Sequence, residues 1–292
     1  MPRYRLLAID LDGTLLDSKS EVPEPNVEAI RAAAEAGASI AVVTGRRFPS
    51  LRRYVEALGI EAYVVANSGA LIREGLDGPI LVRRLLPVPT ALLVLELADE
   101  AGVEPVIHDG PDAEGRLVLR TASRSLPSMG RYLHGTSPEP IWVSSFRVER
   151  TPVQIGFTGG VSSMRALEAA LLVELERRGA PASIARTEYP EEDLALLDVL
   201  ALEATKARAL EFLAAHLGID LESTMAIGDN WNDLEMLERA GLGVIMGNAG
   251  AELRSRGFAE TRTNDEWGVA RAIEKYLLEK KGGESHPRSR YP

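Results

Sequence analysis

Residues Leu6-Leu7-Ala8-Ile9 form an unbroken apolar run that ends in Asp10-Leu11-Asp12-Gly13-Thr14. An apolar run without alternation belongs to a strand buried on both faces, as in a parallel sheet covered by helices. Open α/β sheets bind ligands outside the carboxyl ends of their strands, so the run puts Asp10 where chemistry is done. Side chains alternate along a strand. If the chain stays extended, Asp10 and Asp12 project the same way and Leu11 points into the protein. Gly13 then lets the backbone leave the sheet.

The pattern repeats along the chain. Residues 23–35 are rich in Ala and Glu, with Val27 and Ile30 spaced for one helical face and Gly37 as the stop. Ser39–Val43 reads as a second buried strand and ends in Thr44-Gly45-Arg46. A helix over 50–58 and a strand over 62–66 lead to Asn67-Ser68-Gly69-Ala70, and residues 70–84 read as a hairpin around Gly75–Gly78. Pro87 and Pro89 interrupt the alternation before a helix beginning near Thr90. Strand-like runs at 103–107, 117–121, 153–157 and 194–199, with a helix over 162–178, form a second α/β unit. The first pattern resumes with a helix over 204–217, a strand over 224–227 and the loop Gly228-Asp229-Asn230-Trp231-Asn232-Asp233. A helix from Leu234, a strand over 243–246 and an amphipathic helix over 269–278 complete it. The predicted fold is therefore α/β: a Rossmann-like, mainly parallel core from residues 1–86 and 202–292, an α/β domain inserted over 87–201, and a disordered tail from Gly282.

Composition narrows the chemistry. The 292 residues are 45% hydrophobic and 26% charged, ordinary for a globular protein and enough for a substantial core. A net charge of -10 argues against wholesale binding to nucleic acid or an anionic membrane. There are no cysteines, which excludes disulfides, thiolate nucleophiles and cysteine-held zinc. The four histidines, His108, His134, His216 and His286, show no pair at metal-ligand spacing. Packing or surface roles are expected for them, with His108 at most a weak substrate contact. The sequence has no signal pattern and no apolar run long enough to span a membrane, so a cytoplasmic location is expected.

Four strand ends carry the chemistry: Asp10 with Asp12, Thr44, Asn67, and Asp229 with Asp233. Aspartate can act as a nucleophile toward phosphorus, and a second carboxylate can move protons in both directions. Carboxylates facing one crevice repel unless a cation joins them, and magnesium takes oxygen ligands while contacting substrate phosphate. Asp10, Asp229 and the backbone carbonyl of Asp12 are the expected ligands. Asp233 binds directly, binds through water, or orients a neighbour. Phosphate charge also calls for hydroxyl, amide or cationic donors, which Thr44 and Lys206 supply. Trp231 reads as a packing residue.

Together these residues resemble the haloacid dehalogenase-like phosphatases, and among them the Cof-type branch with a large α/β cap. The resemblance rests on Asp10-Leu11-Asp12-Gly13-Thr14-Leu15, Thr44-Gly45-Arg46, Lys206 and Gly228–Asp233, and it extends to Asn67–Ala70, Met246-Gly247-Asn248-Ala249 and Asn264–Val269. It implies Asp10 as nucleophile, Asp12 as general acid and base, Thr44 and Lys206 as phosphate binders, Asp229 as a magnesium ligand, and Asn232 and Asp233 in support. Gly45, Arg46 and Asn67 complete the expected substrate contacts. Ala207 departs from the family, which commonly has glycine after the lysine. The approach Leu202-Glu203-Ala204-Thr205 is also unusual. The implied activity is magnesium-dependent hydrolysis of small phosphorylated metabolites, most often sugar phosphates, under a cap formed by 87–201. A sugar phosphomutase or phosphotransferase is the alternative the motifs permit, and a non-catalytic phosphometabolite-binding regulator is the other.

Overall fold

In a computed structural model of the chain, residues 2–110, 115–126, 129–130, 133, 138–148 and 150–279 are described. The expected tail from Gly282, together with His134 and His286, lies outside the described residues. The strands are β1 (Leu6–Asp10), β2 (Ser39–Val43), β3 (Tyr63–Ala66), β4 (Leu71–Glu74), β5 (Ile80–Arg83), β6 (Val106–Asp109), β7 (Arg116–Arg120), β8 (Ile141–Val143), β9 (Gln154–Gly159), β10 (Ala182–Tyr189), β11 (Leu194–Ala201), β12 (Thr224–Gly228), β13 (Leu242–Ile245) and β14 (Ala259–Glu260). The helices are α1 (Glu24–Glu35), α2 (Phe48–Leu58), α3 (Val88–Ala101), α4 (Val161–Arg177), α5 (Lys206–Leu217), α6 (Leu234–Arg239), α7 (Ala251–Arg254) and α8 (Gly268–Ile273). No helix among the described residues is long and apolar enough to cross a membrane. The chain divides into two compact units. Residues 2–43, 53–63 and 210–279 make the first, and residues 44–52 with the described residues of 64–209 the second.

In the first unit the strands run β14-β13-β12-β1-β2, every neighbouring pair parallel. Leu6 to Ile9 are fully buried, as their unbroken apolar character requires. Ile9 pairs with Ile227 on one side, and Asp10 with Val43 on the other. That register aligns the carboxyl ends of β12, β1 and β2 along one edge. Helix α1 buries Val27, Ile30 and Ala33, three residues apart and so on one face. Its buried Asn26 accepts from Ala270 N–H at 3.0 Å and donates to Leu15 carbonyl at 3.2 Å. One amide thus satisfies an otherwise unpaired N–H in the first turn of α8 and ties α1 to the turn after β1.

The second unit carries the run β3-β4-β5 and a six-stranded sheet in the order β10-β11-β9-β6-β7-β8. That sheet is antiparallel except at β7–β8. Ile155 and Phe157 of β9, with Leu197 and Val199 of β11, join Val94 of α3 and Leu171 of α4 in one buried core. The helices therefore cover one face of the sheet.

The sequence pattern locates the buried strands and most helices, with shifts at boundaries. The run at 103–107 becomes β6 at Val106–Asp109, and α3 starts at Val88, directly after Pro87, where proline suits the entry to a helix. The terminal helix is regular over Gly268–Ile273 and widens over Glu274–Leu278. Three strands were not expected: β8, β10 and β14. Strand β10, with sequence ASIARTEY, lies at the sheet edge and alternates Ser183, Ala185 and Thr187 with Ile184, Arg186 and Glu188. A polar edge strand gives little apolar signal.

Candidate active site

The first unit gathers carboxylates. Strand β1 ends at Asp10, and Leu11–Leu15 coil into one wide helical turn interrupted by extended Asp12 (φ -80°, ψ 124°) and by Gly13 at φ 74°. The chain therefore does not stay extended from Asp10 through Asp12, although Leu11 is buried as expected. Asp10, Asp229 and Asp233 are all buried, and each offers a carboxylate oxygen within 4.8 Å of the others. At an effective dielectric near 20, two charges at that separation repel by roughly 3 kcal/mol. Three buried carboxylates at such spacing suit a divalent cation, and an all-oxygen donor set suits a hard one. The fit is good. The Asp12 side chain is not among the three and remains half-buried.

Several contacts fix this geometry. Thr14 Oγ1 donates to Asp229 Oδ1 at 3.0 Å. Asp233 Oδ2 accepts the backbone N–H groups of Asp229 and Asn230, each at 3.1 Å, so it shapes the loop whatever else it binds. A Cβ on Gly228 would stand 2.5 Å from Asp233 Cγ, and a Cβ on Gly13 would stand 2.3 Å from Asp229 Oδ2. Both glycines are required by close approach. The Asn248 amide donates to Gly13 carbonyl at 2.8 Å, and its oxygen accepts from Asn264 N–H at 3.0 Å. The Asn264 amide donates to Leu16 carbonyl at 2.9 Å. The two later sequence matches thus brace the Asp10–Gly13 turn, a role that spacing along the chain did not reveal. Asn232 is half-buried beside Asp233, and Trp231 lies under the Arg256 guanidinium at 5.8 Å from the ring centre, a packing contact.

The second unit gathers hydroxyl, amide and ammonium groups. Thr44, directly after β2, is buried, and its Oγ1 accepts from Arg46 N–H at 3.1 Å. That leaves the hydroxyl hydrogen for a ligand. The next strand end is laced to it: Asn67 N–H donates to Arg46 carbonyl and Ser68 N–H to Thr44 carbonyl, each at 2.9 Å. Asn67, Ser68 and Gly69 have φ of 49°, 52° and 104°. Successive left-handed residues are costly unless the surroundings enforce them, and such strain gathers at functional sites. Ser68 Oγ is buried with no hydrogen-bond partner among the described residues, and it lies 3.4 Å from where a Gly45 Cβ would stand. Ser68 is a candidate that the sequence reading did not single out; its one signal was its place at a strand end. A Cβ on Gly69 would stand 2.3 Å from Thr205 carbonyl, so this loop lies against the start of α5. There Lys206 is buried to 2% exposure, exceptional for lysine. Ala207 is buried in the first turn of α5, where alanine is a favourable helix residue. Gly45 and Arg46 are half-buried, and buried Arg47 donates to Gly115 carbonyl.

Asn67 points its amide nitrogen at the six-stranded sheet. Nδ2 donates to Gln154 Oε1 at 3.1 Å and meets His108 Nδ1 at 3.3 Å. Burial, and then the Arg47 guanidinium, lower the His108 pKa to about 3. The ring is neutral at physiological pH, and an Nδ1 facing an amide donor must be the unprotonated nitrogen.

Residues 7–273 match the family model described as haloacid dehalogenase-like hydrolase. The chain is 32% identical over 293 residues to Phosphatase YwpJ of Bacillus subtilis (strain 168), across 94% of this chain and all of that protein. It is 31% identical over 252 residues to the HMP-PP phosphatase of Escherichia coli (strain 55989 / EAEC), across 86% of this chain and 87% of that one. A solved haloacid dehalogenase-like hydrolase from B. subtilis superposes with a TM-score of 0.74 at 28% identity, covering 94% of this chain and all of that one.

Proposed function

The chain belongs to the haloacid dehalogenase-like hydrolases, and from that membership we propose that it is a magnesium-dependent phosphatase of small phosphorylated metabolites, sugar phosphates foremost. The observation that carries this reading is the buried group of Asp10, Asp229 and Asp233 at the carboxyl edge of a parallel sheet.

Asp10, Asp229 and the backbone carbonyl of Asp12 would hold the magnesium ion, with Asp233 binding directly or through water. When bound, the ion offsets the carboxylate repulsion and part of the phosphate charge. A carboxylate oxygen of Asp10 attacks phosphorus, the bond from phosphorus to the ester oxygen breaks, and Asp12 gives its proton to the departing alcohol. Asp12 then takes a proton from water, the water oxygen attacks the phosphorus of the aspartyl-phosphate, and inorganic phosphate leaves with Asp10 restored. The Thr44 hydroxyl and Lys206 ammonium serve as donors to phosphate oxygens, with Gly45, Arg46, Asn67 and Asn232 as further substrate contacts. Residues 87–201 act as the cap that excludes water and selects the leaving group. The setting we propose is the cytoplasm, with neither nucleic acid nor membrane as a partner.

Phosphate release across sugar phosphates, nucleotides and pyridoxal phosphate, with magnesium and with chelator, tests this reading. Magnesium-dependent release abolished by Asp10→Asn is the expected result. Silence on every ester from correctly folded protein would refute it, and formation of a new phosphoester in place of free phosphate would make the chain a transferase.

A further inference from the structure

The six-stranded sheet has two unlike faces. Ile155 and Phe157 of β9 and Leu197 and Val199 of β11 face the helices. Alternation turns Gln154, Gly156 and Thr158 of β9 to the other face. The register sets Asp198 of β11 beside Gly156, with Ala185 of β10 on its far side, and sets His108 beside Gln154. Asp198 is thus flanked by a residue without a side chain and one with a single methyl, which leaves room at the carboxylate.

A directed relay crosses this face. Gln154 Nε2 donates to Asp198 Oδ1 at 2.8 Å. With its nitrogen on Asp198, Gln154 turns its oxygen to Asn67. Asn67 must then present Nδ2, which donates to Gln154 Oε1 at 3.1 Å and meets His108 Nδ1 at 3.3 Å. Both hydrogens of Asn67 Nδ2 are committed. The side-chain atoms the relay leaves for a ligand are Asn67 Oδ1 and Asp198 Oδ2, and both can accept a hydroxyl hydrogen. Two buried hydroxyls lie close by in sequence and register: Ser68 Oγ next to Asn67 and Thr158 Oγ1 on the face of Gln154. Neither has a hydrogen-bond partner among the described residues. Unpaired buried polar groups of this kind are uncommon and mark places where a ligand or ordered water completes the structure.

We propose that Asp198, Gln154 and Asn67 form a specificity relay that reads hydrogen-bond donors on the leaving group, selecting phosphate esters of polyhydroxylated alcohols over esters whose alcohol carries no further hydroxyl. Asn67 Oδ1 and Asp198 Oδ2 accept from substrate hydroxyls, Thr158 completes the contact, and Gln154 is a positioning residue that acts by holding the other two in orientation. Burial raises the Asp198 pKa to about 7 against the opposing Gln154 hydrogen bond, so the carboxylate is in a desolvated setting where a hydroxyl donor is worth more than in water. The inference rests on the phosphatase reading and on Asn67 being at the substrate site.

The test compares kcat/KM for a series of sugar and polyol phosphates with kcat/KM for p-nitrophenyl phosphate, whose leaving group has no donor hydroxyl. In the wild type the best polyol phosphate is preferred. In Asp198→Asn and Gln154→Met the ratio of the two kcat/KM values falls about tenfold, mainly through KM, as expected when a site built to hydrogen-bond a substrate hydroxyl loses that contact. A variant that is merely destabilised loses both activities in parallel and keeps the ratio. An unchanged ratio in both variants, or a wild type that does not favour hydroxylated leaving groups, overturns the relay while leaving the phosphatase reading intact. A wild type that releases phosphate from neither class defeats the phosphatase reading, and the relay with it.

Discussion

Thr14 Oγ1 donates to Asp229 Oδ1 at 3.0 Å, joining the turn after β1 to the loop after β12 across 215 positions of sequence. The bond uses one acceptor of a carboxylate proposed to hold magnesium and fixes how the other faces. Groups that orient metal ligands in this way typically matter by ten- to a hundredfold in metal affinity. Thr14→Val keeps the shape and removes the donor. The midpoint of magnesium activation of phosphate release is predicted to move about tenfold higher; an unmoved midpoint would show that Asp229 is held without Thr14.

Gly13 and Gly75 both adopt left-handed backbone, at φ of 74° and 68°, but a Cβ on Gly13 meets Asp229 Oδ2 at 2.3 Å and one on Gly75 meets nothing within 4 Å. Alanine at either position carries a backbone cost of about 1 kcal/mol. Only Gly13→Ala also displaces a carboxylate of the site. Thermal melting and phosphate release on the pair separate the two effects. Gly75→Ala is predicted to lower Tm slightly and keep activity, and Gly13→Ala to lose activity. Equal activity in both would mean that Asp229 accommodates the methyl.

Ser68 gives a prediction of opposite signs. Its buried hydroxyl has no partner among the described residues, and leaving such a group unpaired costs about 1 kcal/mol or more. Ser68→Ala removes that cost, so stability to denaturant is predicted to rise while KM for phosphorylated substrates also rises. A stability loss would mean that the hydroxyl is satisfied in the folded protein.

His108 and Asp198 predict a concealed pH dependence. Burial, reinforced by Arg47, lowers the His108 pKa from 6.5 to about 3, so between those values the unfolded chain binds the extra proton and stability falls as pH falls. Burial raises the Asp198 pKa from 3.8 to about 7, so in its window the folded chain binds the extra proton and stability falls as pH rises. Each slope approaches ~1.4 kcal/mol per pH unit, and between about pH 4 and 6.5 they oppose each other. Wild-type stability owes little net slope to this pair. Asp198→Asn exposes the histidine slope, so stability climbs with pH across that window. His108→Gln exposes the other, so stability declines with pH. Denaturant titrations across the window check both signs, and parallel profiles for the two variants would contradict the assignment.

The contrast between legible and illegible residues has a physical basis. Asp10 and Asp229 could be placed from sequence because each ends or directly follows a strand rich in apolar residues, and the parallel register of β12 and β1 brings such strand ends to a common edge. Lys206 came from motif order, since an isolated lysine gives no local sign of burial. Thr14, Asn248 and Asn264 act through bonds to distant backbone or side-chain atoms that neither periodicity nor composition encodes. The Asp198 relay depends on antiparallel register between β6, β9 and β11. A one-residue slip in that register would turn Gln154 away from its partners. Strand β10 escaped notice because an edge strand has little need of apolar side chains.

The most direct measurement is to quench the enzyme in acid during turnover of a substrate carrying radiolabelled phosphate, then to locate the label by peptide mapping. Asp10 as nucleophile predicts an acid-stable, alkali-labile label on the peptide containing Asp10, absent in Asp10→Asn. Label on a residue other than Asp10 would contradict attack by Asp10.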